Sequence, residues 1–217
     1  MQPTPHPKPK GPKPKLRGVS HLIGAIATLP AGYFLRDHLP DSEATVPVTV
    51  YLVGLFLLLG VSSLYHVPMW TPTVRANLRR LDRSMIYVFV AGTYTPLVVK
   101  LGPTLWSYTL HAVWAAALTG VSIAVFVRGA PRWVTALPYV VLGWGAVTLM
   151  PAIYSQLGAN PFWFITTGGI LYTLGAVSYA FKRPNPFPTV YGYHEIFHLM
   201  VLLAAALHYA AIFGVLT

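Results

Sequence analysis

Tyr193-His194-Glu195-Ile196-Phe197-His198 opens the last hydrophobic run of the chain, 194–216, which carries no charged residue after Glu195. A membrane-crossing helix needs only ~20 mostly apolar residues, and this run supplies them. Its first turn holds two histidines at positions i and i+4. On a helix these lie on one face, a turn apart, where two imidazoles can hold one metal ion. Two ligands rarely suffice, so a third donor is expected at the same depth.

The whole chain is apolar: 217 residues, 55% hydrophobic, 9% charged, with a mean hydropathy of +0.57. That composition belongs to an integral membrane protein rather than a soluble domain. There is no cysteine. Disulfides and thiolate metal sites are excluded, and any metal must use histidine or carboxylate ligands. A net charge of +10 raises the question of nucleic acid, but the charge distribution points to membrane topology instead. The N-terminus is not read as a secretory signal, since six prolines and five basic residues precede Gly18.

Two regions follow. Residues 1–17 alternate Pro with Lys, which favours extended, polyproline-like structure and builds no core. They are expected to form a disordered cytosolic tail attracted to anionic lipid head groups. Residues 18–217 contain seven apolar stretches, roughly 18–36, 46–66, 83–100, 104–127, 132–151, 160–181 and 194–216. The expected architecture is all-α: a seven-helix transmembrane bundle, polytopic, in the plasma membrane. With the N-terminus in the cytosol, thirteen Lys and Arg fall on the inner side and two, Arg36 and Lys100, on the outer. This bias orients the N-terminus in and the C-terminus out, and supports an odd number of spans. Asp37, Asp41 and Glu43 fall in the first outer loop, leaving Asp82 and Glu195 at cytosolic helix ends beside histidines.

In this topology His66 ends the second span at the cytosolic face. His194 starts the seventh there, His198 lies one turn deeper, and Asp82 begins the third. Ser62 shares the helical face of His66, one turn away. Ionisable groups within spans are costly and usually functional. A lone histidine at a helix end is more often interfacial than a ligand, but His66, His194 and His198 converge on one side with Asp82. Three neutral imidazoles plus water is the composition of an open zinc site. A nearby carboxylate orients the water or takes its proton, and a hydroxyl such as Ser62 steadies the carboxylate or an oxyanion.

His21 shares the cytosolic side as a support or substrate contact. His208 lies roughly 15 Å deeper than His198 and reads as a helix-packing group. His6, His38 and His111 fall outside this site. His194-Glu195-Ile196-Phe197-His198 also fits HExxH, in which the glutamate is a general base. The alternative for Glu195 is a helix N-terminal carboxylate favoured by the dipole.

Ser62-Ser63-Leu64-Tyr65-His66, then Leu81-Asp82-Arg83 leading to Ala91-Gly92-Thr93-Tyr94-Thr95-Pro96, then Gly192-Tyr193-His194-Glu195-Ile196-Phe197-His198 resemble the hemolysin III family, the bacterial branch of the progestin and adipoQ receptor group. Arg17-Gly18-Val19-Ser20-His21 fits as well. The resemblance implies seven helices, a cytosolic N-terminus, and zinc on His66, His194 and His198, with Ser62 and Asp82 as the polar residues beside it. Its adiponectin-receptor relatives suggest zinc-dependent hydrolysis of a lipid amide such as a ceramide. The hemolysin name suggests cytolysis.

Three functions compete. The first is a zinc hydrolase of a lipid amide or ester, with membrane lipids as partners and substrate and Asp82 and Ser62 as catalytic groups. The second is a non-enzymatic sensor or cytolytic factor with structural zinc. The third is an intramembrane protease using Glu195. A transporter fits less well, because few polar residues line the outer half of the spans. Oligomeric state and protein partners are not readable from the sequence.

Overall fold

A computed structural model describes residues 13–40, 42–127 and 132–217. Its helices are α1 (Val19–Asp37), α2 (Thr45–His66), α3 (Pro72–Lys100), α4 (Pro103–Phe126), α5 (Arg132–Trp144), α6 (Ala159–Phe181) and α7 (Tyr193–Leu216). Beyond Trp144, α5 continues as a 3₁₀ turn (Gly145–Leu149), one helical turn (Met150–Ala152) and a π turn (Ile153–Leu157). Among the described residues there is no strand, only an isolated bridge between Phe187 and Tyr191.

The seven segments follow the seven expected stretches, with two differences. The third helix begins at Pro72 rather than near residue 83. At 29 residues it is about 44 Å long, more than the ~30 Å hydrocarbon layer. Its first turns, with Arg75, Arg79 and Arg80, are helical but charged, so apolar content alone misses them. Proline at the first helical position starts both α3 and α4, where its missing N–H costs nothing.

The fifth segment runs to Leu157 and changes pitch on the way. Pro151 has no N–H and its ring crowds the carbonyl four residues back, which unsettles the regular helix around it. The Tyr94 hydroxyl of α3 donates to the Leu142 carbonyl at 2.8 Å, next to this irregular stretch.

Among the described residues, five segments are long and apolar enough to cross a membrane: Thr45–His66, Tyr108–Phe126, Leu137–Leu157, Ala159–Phe181 and Tyr193–Leu216. The outer surface carries exposed Ile23, Ile26, Leu29, Leu118, Trp163 and Leu203, a belt that only a bilayer covers at low cost. The chain is a multi-pass membrane protein.

Consecutive helices pack as antiparallel neighbours, and α1 also packs on α7, while α7 touches α3. Tyr51, Leu55 and Leu59 of α2, Tyr87 and Phe89 of α3, and Val201, Ala205 and Ile212 of α7 form much of the core. The α2–α3 contact is backbone to backbone. A Cβ on Gly54 would stand 3.4 Å from Phe89 Cα, and one on Gly92 3.3 Å from the Val50 carbonyl. A side chain at Gly92 would press on the Val50 backbone by a few tenths of an ångström, and one at Gly54 would already be at van der Waals contact with Phe89. This close approach sets the Ser62 end of α2 beside the Asp82 turn of α3.

Of the expected tail, residues 1–12 lie outside the described residues. From Lys13 the chain is bonded to the bundle: Lys15 N–H donates to Thr189 O at 3.1 Å and Leu16 N–H to Val190 O at 3.2 Å. Residues 13–17 thus form a strap against the α6–α7 loop.

Candidate metal centre

The last turn of α2 carries Ser62 and His66 on one face, both buried. Two bonds finish that helix: Val67 N–H donates to Ser63 O at 2.7 Å, and Trp70 Nε1–H to Leu64 O at 2.7 Å. They satisfy carbonyls that a helix end leaves open, and so hold His66 in a defined position. The Ser62 hydroxyl lies within interacting range of the Asp82 carboxylate of α3.

The start of α7 is built with equal care. The Glu195 carboxylate accepts the Gly192 N–H at 2.8 Å through Oε2, and Asn185 Oδ1 accepts the Tyr193 N–H at 3.3 Å. A glutamate on the third helical residue that reaches back to the N-cap N–H is half of a capping box. Its other oxygen, Oε1, pairs with Arg17 Nε of the strap. Glu195 is therefore bonded through both oxygens, to the helix start and to the strap.

These two helix ends bring three histidines together. One nitrogen each from His66, His194 and His198 lies within 4.8 Å of the other two. Nε2 of His66 and Nε2 of His194 face each other at 3.1 Å. The rings are inclined rather than stacked, at 73° for His66–His194, 64° for His66–His198 and 50° for His194–His198. The His198 Nδ1 is buried with no hydrogen-bond partner.

A tetrahedral ion with Zn–N bonds near 2.0–2.1 Å holds its ligand nitrogens roughly 3.3 Å apart. The 3.1 Å pair is close to that spacing. The three ligand atoms all lie within 4.8 Å of one another. An unpartnered buried nitrogen in the same cluster is what a ligand set looks like without its ion. The residues fit a metal held by His66, His194 and His198.

Around them the structure places groups that spacing alone does not rank. His21 of α1 stacks on His198, with ring centroids 3.9 Å apart and planes 5° from parallel. Its Nε2–H donates to the His198 carbonyl at 3.2 Å. Gly18, with φ of +84°, lies so close that a Cβ would stand 2.6 Å from His66 Cβ. Tyr179 of α6 packs edge-on to His194 at 5.3 Å, and no sequence signal pointed to it. His208 is apart from the cluster and donates through Nε2 to Ile165 O at 3.3 Å, the helix-packing bond expected of it. His38 bonds Phe34 O near the other end of α1, and His6 lies outside the described residues.

A family model described as "Haemolysin-III related" matches residues 10–209. The chain belongs to the haemolysin III-related family. It is 34% identical over 194 residues to "Hemolysin-3" of Bacillus cereus, covering 87% of this chain and 85% of that protein. It is 32% identical to the "Hemolysin-3 homolog" of Bacillus subtilis (strain 168), covering 87% of each. "Monocyte to macrophage differentiation factor" of Homo sapiens is 30% identical, across 89% of this chain and 80% of that protein. In this haemolysin III chain, the matched region takes in both helix ends that carry the histidine cluster.

Proposed function

We propose that this protein is a zinc-dependent hydrolase acting on a lipid amide or ester from the cytosolic side of the membrane. The observation that carries the reading is the convergence of His66, His194 and His198, from the last turn of α2 and the first turns of α7. A zinc ion held there acidifies water toward a pKa of ~7 and polarises a carbonyl. The roles of the chain's own residues follow. Asp82 takes the proton from the attacking water and returns it to the leaving amine or alcohol. Ser62, which faces Asp82, keeps that carboxylate oriented. The apolar helix faces exclude bulk water and admit a lipid chain.

A second reading is a sensor or cytolytic factor in which zinc only ties α2 to α7. The burial of His66 and His198 favours it, since a closed site needs no access. The two readings separate experimentally. Metal analysis of the purified chain is expected to give about one zinc, lost in His66→Ala and in the His194/His198 double alanine variant. Asp82→Asn is expected to keep the zinc and lose lipid cleavage. A wild type that carries zinc and cleaves no lipid amide or ester leaves the structural reading, and a wild type without metal ends both.

A further inference from the structure

The outward side of the α1–α2 pair holds an apolar groove of 410 Å³ that the metal centre does not use. Leu22 of α1 and Phe56, Gly60, Val61, Leu64 and Val67 of α2 and its end line it. Gly60 leaves it open: a Cβ built there meets no atom within 4 Å. Leu22, Phe56, Leu64 and Val67 are exposed. In a membrane-spanning bundle, exposed side chains on such a face meet hydrocarbon, so the groove's natural filling is an acyl chain.

The groove ends at Val67 and Pro68, on the side rich in Lys and Arg. There Lys13 Nζ donates to the Val67 carbonyl at 2.8 Å, which puts an ammonium at the groove's mouth. Burial, then Arg75, then Arg17 hold the Lys13 pKa below its ordinary value, so three cations crowd one place. The Arg75 guanidinium sits 5.4 Å over the Tyr65 ring. Among the described residues, Arg17 alone of the three has a carboxylate partner, Glu195. Mutually repelling cations beside a lipid-sized slot favour an anion at the membrane surface.

We propose that this groove binds one anionic phospholipid of the cytosolic leaflet, an acyl chain lying along α2 over Gly60 and the phosphate resting on Lys13 and Arg75. The site is independent of the zinc reading, since none of its residues holds the metal.

The test is native mass spectrometry of the intact chain in detergent. It is offered phosphatidylglycerol or phosphatidylcholine with matched acyl chains, and inorganic phosphate as competitor. Wild type is expected to retain phosphatidylglycerol preferentially. Lys13→Gln is expected to lower that preference about fivefold, the contribution of one juxtamembrane cation. Gly60→Leu is expected to lower phosphatidylglycerol retention by about the same factor or more, by filling the slot. Leucine is a better helix former than glycine and has open space there, so the fold should persist. Lys13 stands on the strap, so its variant decides the matter if Gly60→Leu fails to fold. Equal retention of the two lipids, unchanged retention in Gly60→Leu, or a preference insensitive to Lys13→Gln overturns the proposal. Displacement by millimolar inorganic phosphate also overturns it, because the site would then take a free anion rather than a lipid.

Discussion

Substituting Glu195 by Gln tests whether this carboxylate is a structural tie or a general base. The Glu195 side chain is 2% exposed, and that of its partner Arg17 is 21% exposed. Exposed ion pairs contribute about 0.2–1 kcal/mol, while breaking a buried one costs about 3–5 kcal/mol. This pair lies between those limits, because water reaches the guanidinium but not the carboxylate. Glutamine keeps one oxygen for the Gly192 N–H, so the helix start is conserved, while the atom facing Arg17 becomes an NH2 that cannot accept its N–H. The expected destabilisation is about 2 kcal/mol. For a chain of this size that is a Tm lower by roughly 6 °C.

A double-mutant cycle isolates the contact: Glu195→Gln, Arg17→Gln and the two together, followed by thermal unfolding in detergent. The singles should each lose most of the 2 kcal/mol, and the double little more than either, giving a coupling of about 1–2 kcal/mol. Zinc content should stay unchanged in all three. Additive effects refute the tie. If Glu195→Gln folds, holds zinc and loses lipid cleavage while Arg17→Gln keeps it, Glu195 is the base and the role given to Asp82 is wrong.

Other substitutions probe the supports. Gly18→Ala forces a side chain into φ +84° and to 2.6 Å from His66 Cβ, so it should cost about 1–2 kcal/mol. It should also weaken zinc binding about tenfold in a chelator competition, as disturbed supports of a metal ligand do. His21→Leu removes the stack on His198 and the bond to its carbonyl, and a similar loss of zinc affinity is expected with lipid-binding preference unchanged. Tyr94→Phe removes the 2.8 Å bond to Leu142, which should lower Tm by roughly 3 °C and leave zinc content untouched.

Much of this was readable from residue order because a membrane simplifies the problem. Backbone groups in hydrocarbon must be satisfied within the helix, so apolar length alone finds most spans, and the Lys/Arg bias orients them. That orientation put His66, His194 and His198 at one depth on one side of the membrane. What it could not supply was lateral position. His21 had the right depth, but depth does not say which helix faces which, and its stacking on His198 follows from α1 packing on α7. Tyr179 is an aromatic among many, and only the α6–α7 packing singles it out. The charged turns of α3 and the broken end of α5 escaped for another reason. Each is set by local proline and helix geometry rather than by apolar content.

The role of α1 follows from the same lateral packing. None of the three clustered histidines lies on it, yet it packs on both helices that carry them, α2 and α7. Its buried stripe is His21, Gly24, Ala25, Thr28, Gly32 and Leu35, small in the middle and polar at the charged end. Gly24 is pinched between Leu202 of α7, 2.6 Å from its would-be Cβ, and Leu59 of α2, at 3.0 Å. One to two turns nearer the charged end, Gly18 rests against His66 and His21 against His198. α1 is thus the spacer that sets the distance between the α2 ligand and the α7 ligands. The strap that precedes it ties down the α6–α7 loop and, through Arg17, the first turn of α7. Contacts that orient the ligand side chains shape a metal site as much as the ligands do. α1 supplies such contacts at its charged end, where the N-cap Gly18 lies against His66 and the His21 ring stacks on His198.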